Sequence, residues 1–351
     1  MKPEQPPRST RVALLGAMFL MATSAIGPGF ITQTTQFTAQ LGAAFAFAIL
    51  VSVLVDVAIQ LNVWRVIGVS GLRAPELGNR VAPGLGHALA LIVALGGLVF
   101  NVGNVAGAGL GLDALLGLPP KWGGALSAAI AVGIFLSRRA GMAMDRVVVA
   151  LGFVMIAMTG YVAFASHPPL GQALRNAVVP EAVDFLAITT LVGGTIGGYI
   201  TYAGAHRLVD AGVHGPASVR AITRASVAGV LVTGLMRVLL FLAVLGVVAT
   251  GVRLSGDNPT ASAFQAAAGE VGLRVFGLIL WAAALTSVIG ASYTSVSFLA
   301  SLHVALESRR NGLVVGFILV ATAVFQNREE VELRAGQVEG PAVGLRAAAG
   351  E

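Results

Sequence analysis

Cysteine does not occur anywhere in the 351 residues, so the chain can form neither disulfides nor thiolate metal sites. Charged residues are also scarce, at 11% of the chain, whereas 56% of the residues are hydrophobic, and this balance excludes an ordinary soluble domain. The signatures HExxH and GxSxG and a phosphate-binding loop are missing, and the five histidines show no metal-ligand spacing. We therefore expect neither an enzyme nor a resident cofactor.

Long apolar runs are what the chain has instead. Most of them are near the roughly 20 residues that cross a hydrocarbon core of about 30 Å as a helix. The pattern predicts an all-α, polytopic membrane protein, and the 45 glycines suit helices that pack closely through small residues. We place nine helices near residues 12–39, 44–64, 86–110, 123–137, 145–165, 184–206, 225–250, 272–302 and 311–326.

Lys and Arg residues are distributed unevenly over the segments between these helices. If the N-terminus is cytoplasmic, fourteen of them fall on the inner side of the membrane and four on the outer side. This positive-inside bias predicts a multi-pass protein of the plasma or inner membrane with a cytoplasmic N-terminus. Because orientation accounts for the basic surplus, we expect no nucleic-acid partner. The expected partners are the bilayer and a small-molecule or ion substrate, while the oligomeric state is open.

The first predicted helix contains a break. Its residues 24–38 read SAIGPGFITQTTQFT, in which Gly27-Pro28-Gly29 interrupts an apolar run. A proline removes an amide donor, and polar backbone groups freed at that depth are tolerated only inside protein or beside a watery cavity. The Thr and Gln residues that follow indicate such a cavity, although a kink without a ligand is the simpler alternative.

A second break in the sixth helix favours the interpretation as a site. Residues 191–202 read LVGGTIGGYITY, with four glycines in one apolar segment. Interrupted helices at matching positions of two halves point to a transporter with inverted repeats. We place the first repeat at about residues 12–165 and the second at about 184–326, within a membrane domain of residues 1–326. The polar segment 327–351 is expected to be a disordered tail.

These breaks and their surroundings resemble the natural resistance-associated macrophage protein (NRAMP) family of divalent-metal transporters. Gly27-Pro28-Gly29 falls on the family's Asp-Pro-Gly-Asn motif, and the helix-3 run NVGNVAGAGLGL is similar to its Asp-x-x-Glu-Val-x-Gly-Ala stretch. Further matches are Gln40, Gly42, Ser52, Leu54, Gln60, Arg65, Gly71, Glu76, Gly193, Thr195, Ile196 and Tyr202. The resemblance implies secondary transport and the LeuT-type inverted-repeat fold with broken helices 1 and 6. That fold has at least ten helices, so nine leave the second repeat incomplete.

The departures from the family pattern concern its metal ligands and its proton route. The family holds its metal with an Asp and an Asn of helix 1 and a Met of helix 6, and these positions carry Gly27, Phe30 and Gly197. The family's helix-3 carboxylates fall on Asn101 and Asn104, which do not titrate. A divalent cation in a low-dielectric site needs carboxylate or comparable donors. We therefore expect a divergent branch without a metal site at this break.

Three hypotheses for function follow. The first is transport of a small organic solute such as a carboxylate or amino acid, because the free amides of a half-helix suit an anionic group. The second is transport of a divalent metal through altered ligands, and the third is a non-transporting relic or sensor. Na⁺ or H⁺ is the candidate coupling cation. The expected substrate-binding residues are Ser24, Gly27, Gly29, Phe30, Gly194, Gly197 and Tyr199, beside a polar face formed by Asn101 and Asn104.

Two further groups are candidates. Asp56 and Arg237 lie inside apolar helices, and intramembrane charges are functional candidates by default, although a structural ion pair between the two helices is the simpler interpretation. In Na⁺-coupled members of the implied fold, helix-8 hydroxyls meet carbonyls of broken helix 1. Ser287, Thr294 and Ser295 are therefore candidates for a Na⁺ site. Hydroxyls that bond back to their own helix are the alternative.

The orientation can be tested directly, because the chain has no cysteine of its own. We expect Ser218→Cys to react with a membrane-impermeant thiol reagent only from the cytoplasmic side, and Gln172→Cys only from the outside. Labelling of the two variants in intact cells and in inverted vesicles checks this. The reversed pattern would contradict the positive-inside argument.

Overall fold

A computed structural model describes residues 8–137, 140–254 and 258–339 of the chain. Within these residues all extended regular structure is helical, with no strand. The helices are α1 (Arg8–Ala25), α2 (Pro28–Leu41), α3 (Phe45–Ser70), α4 (Ala74–Val81), α5 (Leu85–Leu116), α6 (Pro120–Leu136), α7 (Ala140–Ala165), α8 (Leu170–Val178), α9 (Phe185–Ile196), α10 (Ile200–Asp210), α11 (Val219–Val248), α12 (Pro259–Ala300), α13 (Val304–Ser308) and α14 (Arg310–Glu339).

The long helices have the length and composition of membrane spans. In the described part of the chain, seven stretches are long and apolar enough to cross a membrane, with the run Pro28–Ser70 counted as one, and Thr10–Ala25 and Pro120–Leu136 are shorter apolar helices. Each of the nine segments predicted from the sequence corresponds to one long helix or to one broken pair, α1 with α2 and α9 with α10. The chain is thus an all-α, multi-pass membrane protein.

The first break separates α1 from α2. Helix α1 ends at Ala25 and α2 begins at Pro28, with Gly27 extended between them at φ −95° and ψ −179°. Proline has no amide hydrogen, so it fits the first turn of a helix but interrupts a helix in its middle. The Gly-Pro-Gly sequence therefore divides this span into two half-helices, as predicted.

The second break separates α9 from α10. Gly197 is extended at φ −71° and ψ 158°, and Gly198 has a φ of 56°. A side chain is strained in that left-handed region, which explains why glycine occupies position 198. Helix α12 packs against α1, α2 and α10, so one long helix contacts half-helices from both breaks.

Close packing between α5 and α12 depends on glycines. A Cβ atom built at Gly277 would lie 2.8 Å from the carbonyl oxygen of Gly111, and one built at Gly111 would overlap the backbone of Trp281. The two backbones therefore approach as closely as only small residues permit. Most of the apolar stretch of α12 is buried, so this helix forms the centre of the bundle.

Ion pairs connect the helix ends at one end of the bundle. Arg73 Nη2 lies 2.6 Å from Asp210 Oδ1, Arg73 Nη1 lies 2.7 Å from Glu307 Oε2, and Arg310 Nη2 lies 2.6 Å from Asp210 Oδ2. Burial opposes the charge of Arg73, but its hydrogen bonds with Glu307 and Asp210 raise its pKa on balance. The same contact with Arg73 lowers the pKa of Glu307. These pairs join α4, α10, α13 and α14.

Two boundaries differ from the expected ones. Helix α12 contains non-helical residues at Ala268 and Gly269, so its membrane part starts after this kink, near the predicted residue 272. Helix α14 runs on to Glu339, past the boundary predicted at residue 326. The part of the predicted disordered tail from residue 340 to 351 lies outside the described residues.

The glycine contact between α5 and α12 can be tested with Gly111→Leu. We expect this variant to force the two helices apart and to destabilise the protein by about 3 kcal/mol or more, because overpacked cores shift their backbones. The matched control is Gly96→Leu, which lies on the same helix with no atom within 4 Å of the added Cβ. Unfolding midpoints in detergent measure the difference, and equal midpoints for both variants would contradict the account.

Candidate functional site

A cavity of about 500 Å³ lies between the two breaks, in the position predicted for the substrate site. It is bounded by the first break, the C-terminal part of α9, the start of α10 and the middle of α5. Its lining residues are Ser24, Ala25, Gly27, Pro28, Gly29, Phe30, Gln33, Val99, Phe100, Gly103, Asn104, Thr190, Gly193, Gly194, Tyr199 and Ile200.

The lining has no acidic or basic side chain. Its polar groups are the hydroxyls of Ser24, Thr190 and Tyr199 and the amides of Gln33 and Asn104, of which the Gln33 oxygen and the Asn104 nitrogen are buried without a partner in the described structure. Helix α2 also begins in the cavity wall, and the first amides of a helix have no acceptor within it. The cavity therefore offers neutral hydrogen-bonding groups and the positive end of a helix dipole.

Glycines create much of this space. A Cβ atom added at Gly29 or Gly193 would meet nothing within 4 Å, whereas one at Gly27 would lie 3.2 Å from the Ser287 hydroxyl and 3.4 Å from Asn104 Oδ1. Gly27 is thus packed between α5 and α12, while Gly29 and Gly193 face open volume. Below them, the ring of Phe100 makes an edge contact with Tyr199, at 5.9 Å between centroids.

Most of the predicted substrate-binding residues line this cavity, and one does not. Ser24, Gly27, Gly29, Phe30, Gly194, Tyr199 and Asn104 are in the lining. Gly197 is absent from the lining. A Cβ atom added at Gly197 would lie 2.1 Å from the carbonyl oxygen of Gly193, so this position faces the end of α9 and not the cavity. Whether the lining residues bind a substrate stays a prediction.

The polar face predicted on the third span divides into two parts. Asn104 faces the cavity, whereas Asn101 donates from Nδ2 to the Ser292 hydroxyl of α12, at 3.0 Å. Asn101 therefore links two helices rather than the cavity wall. Gln33 and Thr190 are polar lining residues that the sequence analysis did not assign to the site. Gln33 belonged to the polar run after the first break, and that run was the signal that could have identified it.

Asp56 and Arg237 do not form the direct ion pair that was expected. Both are fully buried, yet no nitrogen of Arg237 lies within 4.0 Å of an Asp56 oxygen in the described structure. Arg237 instead donates from Nη1 to the Thr195 hydroxyl at 3.0 Å, and its Cζ lies 4.2 Å from the centroid of the Phe30 ring. The charges of Asp56 and Arg237 still act on each other, and Thr195 on α9 is a neighbour of both residues.

The three hydroxyls proposed for Na⁺ do not form one site. Ser287 of α12, the eighth predicted span, donates to the carbonyl oxygen of Thr23 in α1 at 3.1 Å. This contact with the broken first span is the one that was expected. Thr294 and Ser295 lie two turns further along α12, roughly 10 Å away at 1.5 Å per residue. Their hydroxyl oxygens are buried without a partner in the described structure. Only Ser287 therefore stays a candidate beside the first break.

Ionisable clusters suited to a metal are missing from the part of the chain that the structure describes. No group of three or more His, Asp or Glu side chains within it could hold a metal ion. The cavity wall itself offers only carbonyl, hydroxyl and amide oxygens. Such donors hold Mg²⁺, Ca²⁺ or Mn²⁺ weakly unless a carboxylate joins them.

Two broken spans that face one another across a central cavity define a membrane transporter built on inverted repeats. Residues 18–331 match the family model described as natural resistance-associated macrophage protein-like, and the chain belongs to this NRAMP family. The resemblance inferred from the sequence is confirmed.

Two bacterial membrane proteins are similar to the chain over most of its length. The chain is 55% identical over 312 residues to an uncharacterized membrane protein, YcsG, of Bacillus subtilis, which covers 89% of this chain and 77% of that protein. It is 52% identical over 314 residues to an uncharacterized membrane protein of Haemophilus influenzae, covering 90% and 79%.

Solved structures share the fold. A mutant of the manganese transporter of Eremococcus coleocola superposes with a TM-score of 0.71 at 17% identity, covering 97% of this chain and 75% of that one. The transporter MhsT in complex with L-phenylalanine superposes with a TM-score of 0.51 at 15% identity, covering 92% and 79%. These identities are low, so the likeness concerns the fold, which is the LeuT type.

Proposed function

We propose that this NRAMP-family transporter carries a small organic solute, such as an amino acid or another carboxylate, rather than a divalent metal ion. The observation that supports this cargo is the cavity wall, which has no acidic or basic side chain. A dehydrated divalent ion would lose several kcal/mol or more in such a site without a carboxylate to offset the cost. A carboxylate on a solute would instead meet free amides at the start of α2.

The second candidate is a divalent metal ion. Family membership and the manganese transporter among the structural relatives favour it, and none of the comparisons speaks for an organic solute as the cargo of this chain. Metal transport would require ligands from backbone carbonyls and from amide or hydroxyl oxygens such as those of Gln33, Asn104 and Ser287. The choice between the two candidates thus depends on how tightly carbonyl, hydroxyl and amide oxygens can bind a divalent ion without a carboxylate.

The remaining parts of the proposal concern coupling and orientation. Na⁺ or H⁺ would be the coupling cation, with Ser287 beside the first break as a candidate contact for it. The N-terminus would face the cytoplasm of a cell whose plasma or inner membrane holds the protein, on the basis of the distribution of Lys and Arg.

Uptake into proteoliposomes tests the cargo. We expect accumulation of labelled amino acids or short organic acids and no uptake of Mn²⁺ or Mg²⁺ from the same preparation. Gly29→Trp should abolish the uptake, since this position faces open cavity volume. The matched control Gly96→Trp also meets open space but lies outside the cavity, and it should keep the activity. Uptake of Mn²⁺ that only Gly29→Trp removes would establish the metal instead.

A further inference from the structure

Arg237 has an unused edge of its guanidinium group. Its side chain is only 1% exposed, and Nη1 donates to Thr195. Nε and Nη2 are buried without a partner in the described structure. The N–H groups of Nε and Nη2 point from the same edge of the planar group, and this edge binds the two oxygens of a carboxylate. A charged donor pair of this kind is costly to bury unpaired, so its retention points to a ligand.

Asp56 supplies a counter-charge that does not occupy this edge. Its Oδ1 is also buried without a partner in the described structure, and it lies more than 4.0 Å from every nitrogen of Arg237. The two charges nevertheless act on each other, and Thr195 interacts with both. The cluster Asp56–Thr195–Arg237 is therefore neutral as a whole, while its guanidinium edge stays open.

Other charged groups do not reach Asp56. Helices α2, α8, α9, α10 and α11 pack against α3, which carries Asp56. Arg175 on α8 is exposed, Arg207 on α10 pairs with Asp145, and Asp210 pairs with Arg73 and Arg310. The groups that act on Asp56 are Arg237 on α11 and Thr195 on α9. The protonation state of Asp56 is thus tied to what surrounds Arg237.

Phe30 connects this cluster to the cavity. Its ring lies against the Arg237 guanidinium, and the same residue lines the cavity at the start of α2. Arg237 is not itself in the cavity lining, so Phe30 is the lining residue through which the cavity contacts the guanidinium group. Phe30 is therefore the residue that would separate a solute in the cavity from Arg237.

We propose that the Nε and Nη2 edge of Arg237 binds the carboxylate of the transported solute and that Asp56 takes up one proton when it does. The charges balance, because the positive arginine faces one negative group before binding, Asp56, and one after binding, the solute carboxylate. The proton comes from hydronium in the solvent: one O–H bond of hydronium breaks as the O–H bond of Asp56 forms, neutral water is left behind, and no other covalent bond changes. The inference rests on the proposed function for its cargo and assigns that cargo a carboxylate and a proton.

Formate is a suitable probe, since it is the smallest carboxylate. In detergent, formate should raise the unfolding temperature of the intact protein in a saturable way. The affinity of the protein for formate should weaken by up to about tenfold per pH unit at pH values where Asp56 of the unliganded protein is ionised. Formamide, a neutral molecule of similar size, should give no such shift. Arg237→Gln should lose the formate shift at every pH.

Asp56→Asn is the decisive second variant. It leaves Arg237 as a buried positive charge without a counter-charge, so it should unfold at a lower temperature, and formate should restore stability with an affinity that no longer depends on pH. The measurement on Asp56→Asn still tests the proposal if Arg237→Gln does not fold. An intact protein without a saturable formate shift, a shift that survives Arg237→Gln, or Asp56→Asn that formate does not rescue would each overturn the proposal. Rescue by formate without solute uptake in vesicles would instead keep this subsite and reject the proposed cargo.

Discussion

The fold is organised around polar backbone groups that a membrane cannot hydrate. A continuous helix satisfies its own amides and carbonyls, whereas each break leaves several without an intrahelical partner. Such groups are stable at that depth only if other helices surround them. Gly27 at the first break is therefore packed between α5 and α12, and α12 also contacts α10, which follows the second break. The close approach of α5 and α12 through Gly111 and Gly277 makes this packing tight.

The same constraint shapes the chemistry of the cavity. In the described structure, Ser287 of α12 donates a hydrogen bond to the carbonyl oxygen of Thr23 in α1, and Asn101 of α5 donates one to the hydroxyl of Ser292 in α12. These two contacts between helices therefore involve only uncharged groups. The buried charges of Asp56 and Arg237 lie outside the cavity lining, and Arg237 contacts the ring of the lining residue Phe30. This member of the NRAMP family thus has a cavity whose lining contains no charged side chain.

Much of this could be predicted from the sequence. Gly27-Pro28-Gly29 and the glycines from 193 to 198 determine the two breaks through local backbone chemistry, and apolar runs determine the spans. The direction of individual side chains could not be predicted in the same way. Gly197 faces the carbonyl of Gly193, Arg237 donates to Thr195 and not to Asp56, and Thr294 and Ser295 lie two turns from Ser287. Each of these outcomes depends on backbone angles at a break or on helix rotation, which hydrophobic pattern does not specify.

The central claim is that the cavity between the breaks does not hold a divalent metal ion, and calorimetric titration with Mn²⁺ tests it most directly. The account predicts no saturable heat in the micromolar range for the intact protein in detergent, because Gly27, Phe30 and the rest of the wall provide no carboxylate. Micromolar binding that disappears in Gly27→Val would contradict it and would restore metal transport as the function of the site.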